Sequence, residues 1–408
     1  MAKKKTAQDE VEKLAKKNST LFIIIVLLIV VIVGCFALHG YGVVNIPFLN
    51  SVLEYNALNA GTGSSNGTQE KEPVASQGGA FTSEDVTVIS NSDLSIHFLE
   101  LGNAYTGDCT LIKVGDTEVL IDAGSRKGSA ETIVSYVNNF CKDGVLEYVI
   151  ATHAHQDHIA GFVGTTKAPG VFESFECEVI IDYPLANSAA KIRTEYETER
   201  DAEVALGATH YTALECYNQE NGAQRVYQLG NGVEMEILYQ RFYEETTSDE
   251  NDYSVCMLLS QGENHYLFTG DLEKEGEESL VETYDLPKCV LFKGGHHGSP
   301  TSNTPALFAE IDPDIVCVCC CCGSDEYTDN IANMFPSQAF VNNVAPYTTQ
   351  VYVTTIISSN EQGFESMNGN IVVMSNSGEV TVRCSNNTTL FKDTEWFKEN
   401  RETPPAWQ

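Results

Sequence analysis

Three histidines and an aspartate lie within six residues, in the segment THAHQDHIAG at positions 152–161. They are His153, His155, Asp157 and His158. Imidazole and carboxylate groups are ligands that Zn²⁺ takes in proteins, and Mn²⁺ and Fe²⁺ also accept them. The apolar segment 147–153 predicts a strand that ends at this motif. The first two histidines would then reach one metal ion, and the second pair, entering the next helix, would face another.

Other residues of these types also follow predicted strands. Asp271 comes directly after HYLFTG, where its carboxylate could bridge two metal ions. His296 and His297 follow KCVLFKGG on a loop whose glycines let the backbone approach a ligand closely. Asp122 directly follows the strand-like TEVLI and could hydrogen-bond to a ligand histidine on the side away from the metal. Together these positions predict one metal site built from strand ends.

The elements that must position these residues alternate in type along the chain. Hairpin-like strands come first, and β-α-β-α-β order follows from 288 onward. This pattern predicts an α/β domain in which two sheets are covered by helices. Three further histidines are read as structural: His97 inside a strand, His265 in a hairpin turn and His210 at the surface or in the core.

The cysteine-rich segment DIVCVCCCCGS, at 314–324, reads as a buried strand. Cysteine packs there as a small apolar residue. Alternate strand residues point to opposite faces, so adjacent cysteines cannot all reach one ion. The chain has 13 cysteines, an odd number whose spacing indicates no disulfide framework.

The formal net charge is −33 over 408 residues. Residues 1–20 hold six lysines and three acidic residues, a net +3, so the remainder carries −36. Such a chain repels polyanions, and without an evident Arg/Lys stripe it does not resemble a DNA-binding accessory. A phosphate substrate would need local cations, most simply bound metal.

The apolar run Leu21–Leu38 is long enough for a membrane helix, with its lysine-rich flank on the cytoplasmic side. The alternatives are a cleaved signal peptide, which would leave a secreted domain, and a lipoprotein signal ending at Cys35. Each of the three exports the domain. The expected organisation is a basic cytoplasmic tail (1–20), an anchor (21–38), an extracellular linker (39–92), a hydrolase domain (93–385) and a C-terminal tail (386–408).

The segments HFLELGNAYTGDCTLI, VLIDAG, THAHQDHIAG, NDYSVCMLL, FTGDLE and LFKGGHHGSPTSN resemble the metallo-β-lactamase superfamily. Within it, the chain is most similar to the hydrolase domain of the ComEC competence-protein family. The resemblance covers roughly 93–385 and implies a four-layer αβ/βα sandwich. It also implies two divalent metal ions, Zn²⁺ first with Mn²⁺ or Fe²⁺ as alternatives, and hydrolysis by a hydroxide that bridges them.

The resemblance also assigns roles. Asp108 matches the first motif and would stand with Asp122 behind the ligands, and Asp157 would also accept a proton. Of the HHGS pair, His296 is assigned to the metal and His297 to hydrogen-bond donation to the substrate, although the sequence leaves the order open. The superfamily's third-motif histidine is not evident, and Asp182 at that strand end could replace it as an oxygen ligand.

The function implied is a membrane-anchored, extracytoplasmic hydrolase of phosphodiesters, either a nuclease or an envelope phosphoesterase. Phosphoester or nucleic acid would be the substrate, and no stable protein partner is predictable. The alternatives are a lactonase or another ester or amide hydrolase of the same fold, since a fold does not determine a substrate. The third hypothesis is a non-catalytic binding domain that contains metal.

Overall fold

The computed structural model describes residues 79–358 and 363–408. The basic tail, the anchor at 21–38 and most of the linker lie outside the described residues. Among the helices that are described, none has the length and apolar character to cross a bilayer. The described residues fall within one compact unit, Ala75–Gln408.

Strands in the described part form two eight-stranded sheets. The first sheet comprises β1 (Leu94–Phe98), β2 (Thr110–Val114), β3 (Thr117–Ile121), β4 (Val145–Ile150), β5 (Glu176–Asp182), β6 (Thr209–Thr212), β15 (Ile371–Asn376) and β16 (Glu379–Cys384). The second comprises β7 (Val226–Gly230), β8 (Val233–Leu238), β9 (Cys256–Gln261), β10 (Asn264–Phe268), β11 (Leu291–Lys293), β12 (Ile315–Cys322), β13 (Val351–Ile357) and β14 (Phe364–Ser366).

The helices of the described part lie between these strands and at the two ends. They are α1 (Ser83–Ser90), α2 (Ser129–Val137), α3 (Gln156–Ile159), α4 (Val171–Ser174), α5 (Lys191–Leu206), α6 (Ala213–Asn218), α7 (Lys274–Thr283), α8 (Pro305–Ile311), α9 (Gln338–Val344) and α10 (Glu395–Asn400). The predicted α/β fold with two sheets is thereby confirmed.

Each sheet has an antiparallel part and a parallel part. In the first sheet the order is β16-β15-β1-β2-β3-β4-β5-β6, and pairing is parallel from β3 to β6. In the second the order is β14-β13-β12-β11-β10-β9-β8-β7, and pairing is parallel from β10 to β13. Because parallel strands end at the same edge of their sheet, the residues after β3, β4 and β5 are neighbours, as are those after β10, β11 and β12.

The cysteine-rich strand β12 is buried along its whole length, as predicted. Cys317 and Cys319 join the larger apolar core, which contains residues of both sheets. Cys320 and Cys322 join the smaller core, where α7, α8 and α9 pack on the other face of the second sheet. The thiols of this strand thus alternate between two apolar interiors. All 12 described cysteines are unpaired, and Cys384 alone among them is not fully buried.

Both ends of the described chain contain helices that pack on the domain. The end of the expected linker contains α1, which begins with a capping box between Thr82 and Asp85 and buries Ile89. The expected tail buries three aromatic side chains, Phe391, Phe397 and Trp407, in the smaller core.

Candidate metal centre

Four buried side chains converge at the sheet edges: Asp108, His158, Asp271 and His297. Each offers one ligand atom, and these atoms all lie within 4.8 Å of one another. The residues come from separate parts of the chain, before β2, at the start of α3, after β10 and after β11. The edge position predicted for the metal site therefore contains a compact set of metal-binding groups.

The two imidazoles of this set face the same carboxylate oxygen. His158 Nε2 lies 3.0 Å from Asp271 Oδ2, and His297 Nε2 lies 3.2 Å from it. The two Nε2 atoms are 3.3 Å apart, and Asp157 Oδ2 is 3.5 Å from that of His297. One cation could be bound among the two imidazoles and the carboxylates of Asp157 and Asp271.

A second pair of donors lies beside the first. His153 Nε2 is 3.1 Å from His155 Nδ1, and the His153 and His158 rings have centroids 4.2 Å apart. His155 Nδ1 also lies 2.8 Å from the amide oxygen of Asn251. The structure thus places His153 and His155 together on the turn after β4, and Asp157 and His158 follow on α3.

Buried partners fix the orientation of the ligand histidines. Asp122 Oδ2 lies 2.7 Å from His158 Nδ1, and Asp122 itself accepts hydrogen bonds from the amide and hydroxyl of Thr152, both at 2.8 Å. His297 Nδ1 donates to the carbonyl of Cys319 at 2.8 Å. These bonds leave Nε2 of each ring directed at Asp271, which is the arrangement that metal-binding histidines require.

Three residues at the site have left-handed backbone conformations that side chains rarely adopt: Asp122 (φ 59°), His296 (φ 45°) and His297 (φ 54°). Each such residue costs about 1–3 kcal/mol unless its surroundings enforce it. Around the histidines, Asn303 binds both the amide and the carbonyl of Gly295, and Glu277 accepts from the amide of Asn303. A rigid loop therefore holds the HHGS segment in this conformation.

The charge balance of the centre fits a divalent cation. Four buried carboxylates, those of Asp108, Asp122, Asp157 and Asp271, surround the histidines, and among the described residues Lys293 is the buried ammonium there. Lys293 pairs with Asp108, but its Nζ is 3.7 Å from Asp271 Oδ1, which has no hydrogen-bond partner. Buried anionic oxygen without a partner is costly, and bound metal would satisfy it.

The same charges determine the protonation of the ligands. Burial opposes a charged His158, but Asp271 and Asp122 outweigh it and raise the pKa to about 10. Burial likewise opposes a charged Asp157, yet His297 and His158 hold its pKa well below the usual range. Without metal, the charged forms of His158 and His297 are therefore favoured beside ionised Asp157 and Asp271, whereas burial lowers the pKa of His153 and favours its neutral ring.

We expect metal affinity to rise with pH. His158 has a pKa of about 10, so below that pH its ring must release a proton before Nε2 can bind metal. Each proton released adds up to about tenfold in affinity per pH unit. Calorimetric titration of Mn²⁺ in buffers with different ionisation enthalpies would count the protons. Affinity that does not change between about pH 6 and 8 would contradict this protonation state.

The structure places three assigned residues differently from the sequence-based expectation. Asp108, expected behind the ligands, lies within the converging group, and the two histidines of the HHGS segment also differ from their assigned places. It is His297, rather than His296, that joins the converging group. The His296 side chain is 17 % exposed, and its Nδ1 lies 3.1 Å from Thr301 Oγ1 and 3.3 Å from Glu273 Oε1. Both nitrogens of His297 are engaged within the centre, which leaves no N–H for a substrate. Two left-handed residues in succession direct the rings in this way, and residue types alone do not reveal it.

Asp182, considered as a replacement for the third-motif histidine, is held by other groups. Its Oδ2 is 2.7 Å from Arg200 Nη1, and its Oδ1 is 2.8 Å from His210 Nε2. The hydroxyl of Tyr196 is a third neighbour, at 3.3 Å. This carboxylate forms ion pairs that join β5, β6 and α5 and does not belong to the converging group. Arg200 binds the carboxylate oxygen that a metal ion would need as its ligand.

Replacing Asp182 with alanine should destabilise the fold and leave the metal content unchanged. Arg200, whose side chain is 16 % exposed, would lose its buried partner, so we expect a loss of about 2–3 kcal/mol in the free energy of unfolding. Urea unfolding and elemental analysis would measure the two quantities. Asp201→Ala is the matched control, because Asp201 also pairs with Arg200 but is 69 % exposed, and should change stability by less than about 0.5 kcal/mol. Loss of metal from the Asp182 variant would return that residue to the ligand set.

Other residues at the centre had no signal in the sequence. Lys293 reads as part of an apolar strand, yet its Nζ is buried between Asp108 and Asp271. The hydroxyl of Tyr327 donates to Asp157 Oδ2 at 2.6 Å from a loop 170 residues away.

Two histidines predicted to be structural lie outside the centre. His97 is buried and hydrogen-bonded to Tyr136 and Ser95. His210 is also structural, since it binds Asp182.

Comparison with known proteins identifies related sequences. Residues 102–172 match the family model described as the metallo-beta-lactamase superfamily. The chain is 25% identical over 232 residues to Recombination protein 2 of Haemophilus influenzae, covering 56% of this chain and 24% of that protein. It is 28% identical over 218 residues to Competence protein ComA of Neisseria gonorrhoeae, covering 52% and 25%.

The match to ComE operon protein 3 of Bacillus subtilis is 23% identical over 171 residues, covering 41% of this chain and 19% of that one. Among solved structures, the metallo-beta-lactamase fold protein YhfI of Bacillus subtilis aligns with a TM-score of 0.36 and 12% identity, over 71% of this chain and 99% of that one. The chain spans about a quarter or less of the length of the curated relatives it matches. The resemblance to the metallo-β-lactamase superfamily, and within it to the competence proteins, is confirmed by these matches.

Proposed function

We propose that this chain is a metal-dependent hydrolase of phosphodiesters. The observation that carries the proposal is the set of donors around Asp271, with His158 and His297 on one side and His153 with His155 beside them. Two divalent ions bound there would polarise a phosphoryl oxygen and activate a water molecule. Zn²⁺ suits this donor set, and Mn²⁺ or Fe²⁺ would also be accepted.

Charged side chains at the centre would bind the metal and favour an anionic substrate. Asp157 and Asp271 stay ionised, because neighbouring histidines hold the pKa of each well below its usual value against the effect of burial. Asp157 is therefore better suited to binding metal than to accepting a proton. Lys293 adds a buried positive charge beside Asp271, which favours an anionic substrate in a chain of net charge −33.

His296 is the group placed to protonate a leaving oxygen. The His296 side chain reaches solvent, whereas that of His297 is almost fully buried. Glu273 and Thr301 hold Nδ1 of His296 in place. Its Nε2 forms no hydrogen bond within the described parts of the chain and can meet a substrate. We therefore propose that the donor and ligand roles of the two histidines are the reverse of those first assigned. A positioned general acid contributes about 10²–10⁴ in rate.

Two features support the choice of phosphodiesters over other esters. The relatives carry the names of recombination and competence proteins, which point to nucleic acid for those proteins. The centre also combines a buried lysine with the donor set, as suits a phosphate with two charges to neutralise in its transition state. The apolar run 21–38 would anchor the chain so that this domain lies outside the membrane.

Hydrolysis of bis(p-nitrophenyl) phosphate and of end-labelled single-stranded DNA by the full chain, in detergent with Mn²⁺ or Zn²⁺, tests the proposal. We expect turnover that falls by at least about 10³-fold in Asp271→Ala. Asp116→Ala, in an exposed turn, is the matched control and should keep full activity. Metal bound at the site without turnover of either substrate would refute a phosphodiesterase, and a lactone substrate in the same plate would then test the alternative.

A further inference from the structure

Two exposed aromatic side chains border the metal centre. Among the described residues, Tyr105 and Tyr327 are the aromatic residues with exposed side chains, at 48% and 50% relative accessibility. Tyr105 lies three positions before Asp108, on the loop that delivers this aspartate to the centre. The hydroxyl of Tyr327 donates to Asp157 Oδ2 at 2.6 Å. Exposed tyrosines are ordinary at protein surfaces, but both of these stand at the same site.

An arginine links the two loops that carry these tyrosines. The guanidinium of Arg126 lies 4.1 Å from the centre of the Tyr105 ring, and its Nη2 is 2.5 Å from Glu326, the neighbour of Tyr327. Glu326 also accepts a hydrogen bond from the amide of Thr106 at 2.9 Å. The loop after β12 is thereby tied to the loop before β2. We call Tyr105, Arg126 and Tyr327 the aromatic rim.

The rim is held in position by contacts that leave ring surface exposed. Tyr327 packs against Phe335, with ring centroids 5.4 Å apart, and Phe335 in turn contacts the ring of His297 at 5.9 Å. A tyrosine fixed by its hydroxyl and one neighbour loses little conformational freedom when a ligand covers the rest of its ring. The rim is therefore a preorganised surface for a flat apolar group.

We propose that the aromatic rim binds the base of a nucleotide whose phosphodiester lies at the metal centre. Aromatic side chains stack on unpaired bases, and the guanidinium of an arginine beside them is a planar group that can also lie against a base. This inference rests on the proposed function and names its substrate class, a phosphodiester with an unpaired base on at least one side. It does not require a particular base, because every base offers an aromatic face.

The charge of the chain sets the length of the substrate. The net charge of −33 repels a long polyanion along its whole course, and Arg126 is itself neutralised by Glu326. A dinucleotide or the frayed end of a strand brings a base to the rim with few additional phosphates. The favoured ligand is accordingly a short, single-stranded nucleotide diester.

Calorimetric titration of the full chain, saturated with Mn²⁺, with dithymidine phosphorothioate tests the inference. This probe carries two bases on a slowly hydrolysed diester, and dimethyl phosphate is the matched ligand without a base. Tyr105→Leu and Tyr327→Leu should each weaken dinucleotide binding by about 5- to 100-fold, the range expected for loss of one stacked base. Tyr105→Leu should not change the affinity for dimethyl phosphate, because the Tyr105 ring lies against Arg126 and not against the converging group. Tyr105→Phe keeps the ring and should bind the dinucleotide within about twofold of the parent. Tyr327→Leu is compared with Tyr327→Phe, because both variants lack the hydroxyl that binds Asp157 and only the second keeps the ring.

The outcomes separate this inference from the function on which it rests. Leucine variants that bind the dinucleotide as tightly as the parent, or a parent that prefers dimethyl phosphate, would overturn the aromatic rim as a base site. Binding that follows the rings while bis(p-nitrophenyl) phosphate remains uncleaved would support the rim and overturn the hydrolase. Weakened binding of both ligands by Tyr105→Leu, or equal dinucleotide binding by Tyr327→Leu and Tyr327→Phe, would also count against stacking.

Discussion

Replacing His297 with alanine should remove bound metal and abolish hydrolysis, whereas His296→Ala should keep the metal and lower turnover. Nε2 of His297 lies 3.2 Å from Asp271 and 3.3 Å from His158 Nε2, inside the converging group. Loss of a direct ligand should exceed the roughly 10- to 100-fold in affinity that outer partners contribute. The partly exposed His296 contacts Glu273 and Thr301, outside this group. We expect its loss to cost about 10²-fold or more in kcat.

Elemental analysis and calorimetric Mn²⁺ titration, together with bis(p-nitrophenyl) phosphate kinetics, would compare the two adjacent variants. Circular dichroism on each establishes that the fold is retained. The pair is internally matched, since both residues are histidines in left-handed conformations on one loop. Metal lost from the His296 variant and kept by the His297 variant would reinstate the order first assigned from the sequence.

Gly124→Ala should disrupt both the stability of the fold and the metal centre. A Cβ at this position would lie 1.4 Å from the carbonyl oxygen of Asp157 and 2.1 Å from its carbonyl carbon, a backbone overlap that no rotamer change relieves. The loop that carries Asp157 and His158 would have to move. Overpacking in interiors costs about 1–3 kcal/mol, and for this overlap we expect at least about 3 kcal/mol in the free energy of unfolding, with loss of metal affinity.

Gly128→Ala provides the control for that experiment. It lies four residues later, its φ is −65°, and an added Cβ would meet no atom within 4 Å. We expect its stability to stay within about 1 kcal/mol of the parent and its metal content to be unchanged. Urea unfolding of the two alanine variants, with metal content measured on each, would decide the point. A Gly124 variant as stable as the Gly128 variant would mean that the 122–126 and 155–158 loops are not packed as described.

The sequence revealed the ingredients of the centre because they obey strand-end geometry. His153, His155 and Asp271 follow apolar strands, and parallel strands deliver such residues to one edge. Asp122 could be placed behind the ligands for the same reason, and it does hold His158 Nδ1. The two sheets and the buried character of β12 also followed from apolar periodicity.

The sequence leaves the assignment open where tertiary contacts determine the chemistry. Asp182 has the right type and strand end, but Arg200, 18 residues later on α5, occupies its carboxylate. Only the backbone conformation of the HHGS loop decides which histidine turns inward. Tyr327 lies on a loop with no recognisable motif, and its role at Asp157 depends on a contact across 170 residues. Pairwise proximity of this kind leaves no trace in a single sequence.

The alternation of thiols along β12 affects how this chain would unfold irreversibly. A buried thiol is largely protonated, as at Cys321, where burial raises the pKa to about 12, so oxidants find almost no thiolate to attack while the fold is intact. Unfolding would expose the 12 described cysteines at once, and under oxidising conditions random disulfides could then block reassembly of the two apolar cores. Under such conditions the lifetime of the fold would be set by the rate of the first unfolding event, and adding a reductant would make the loss reversible.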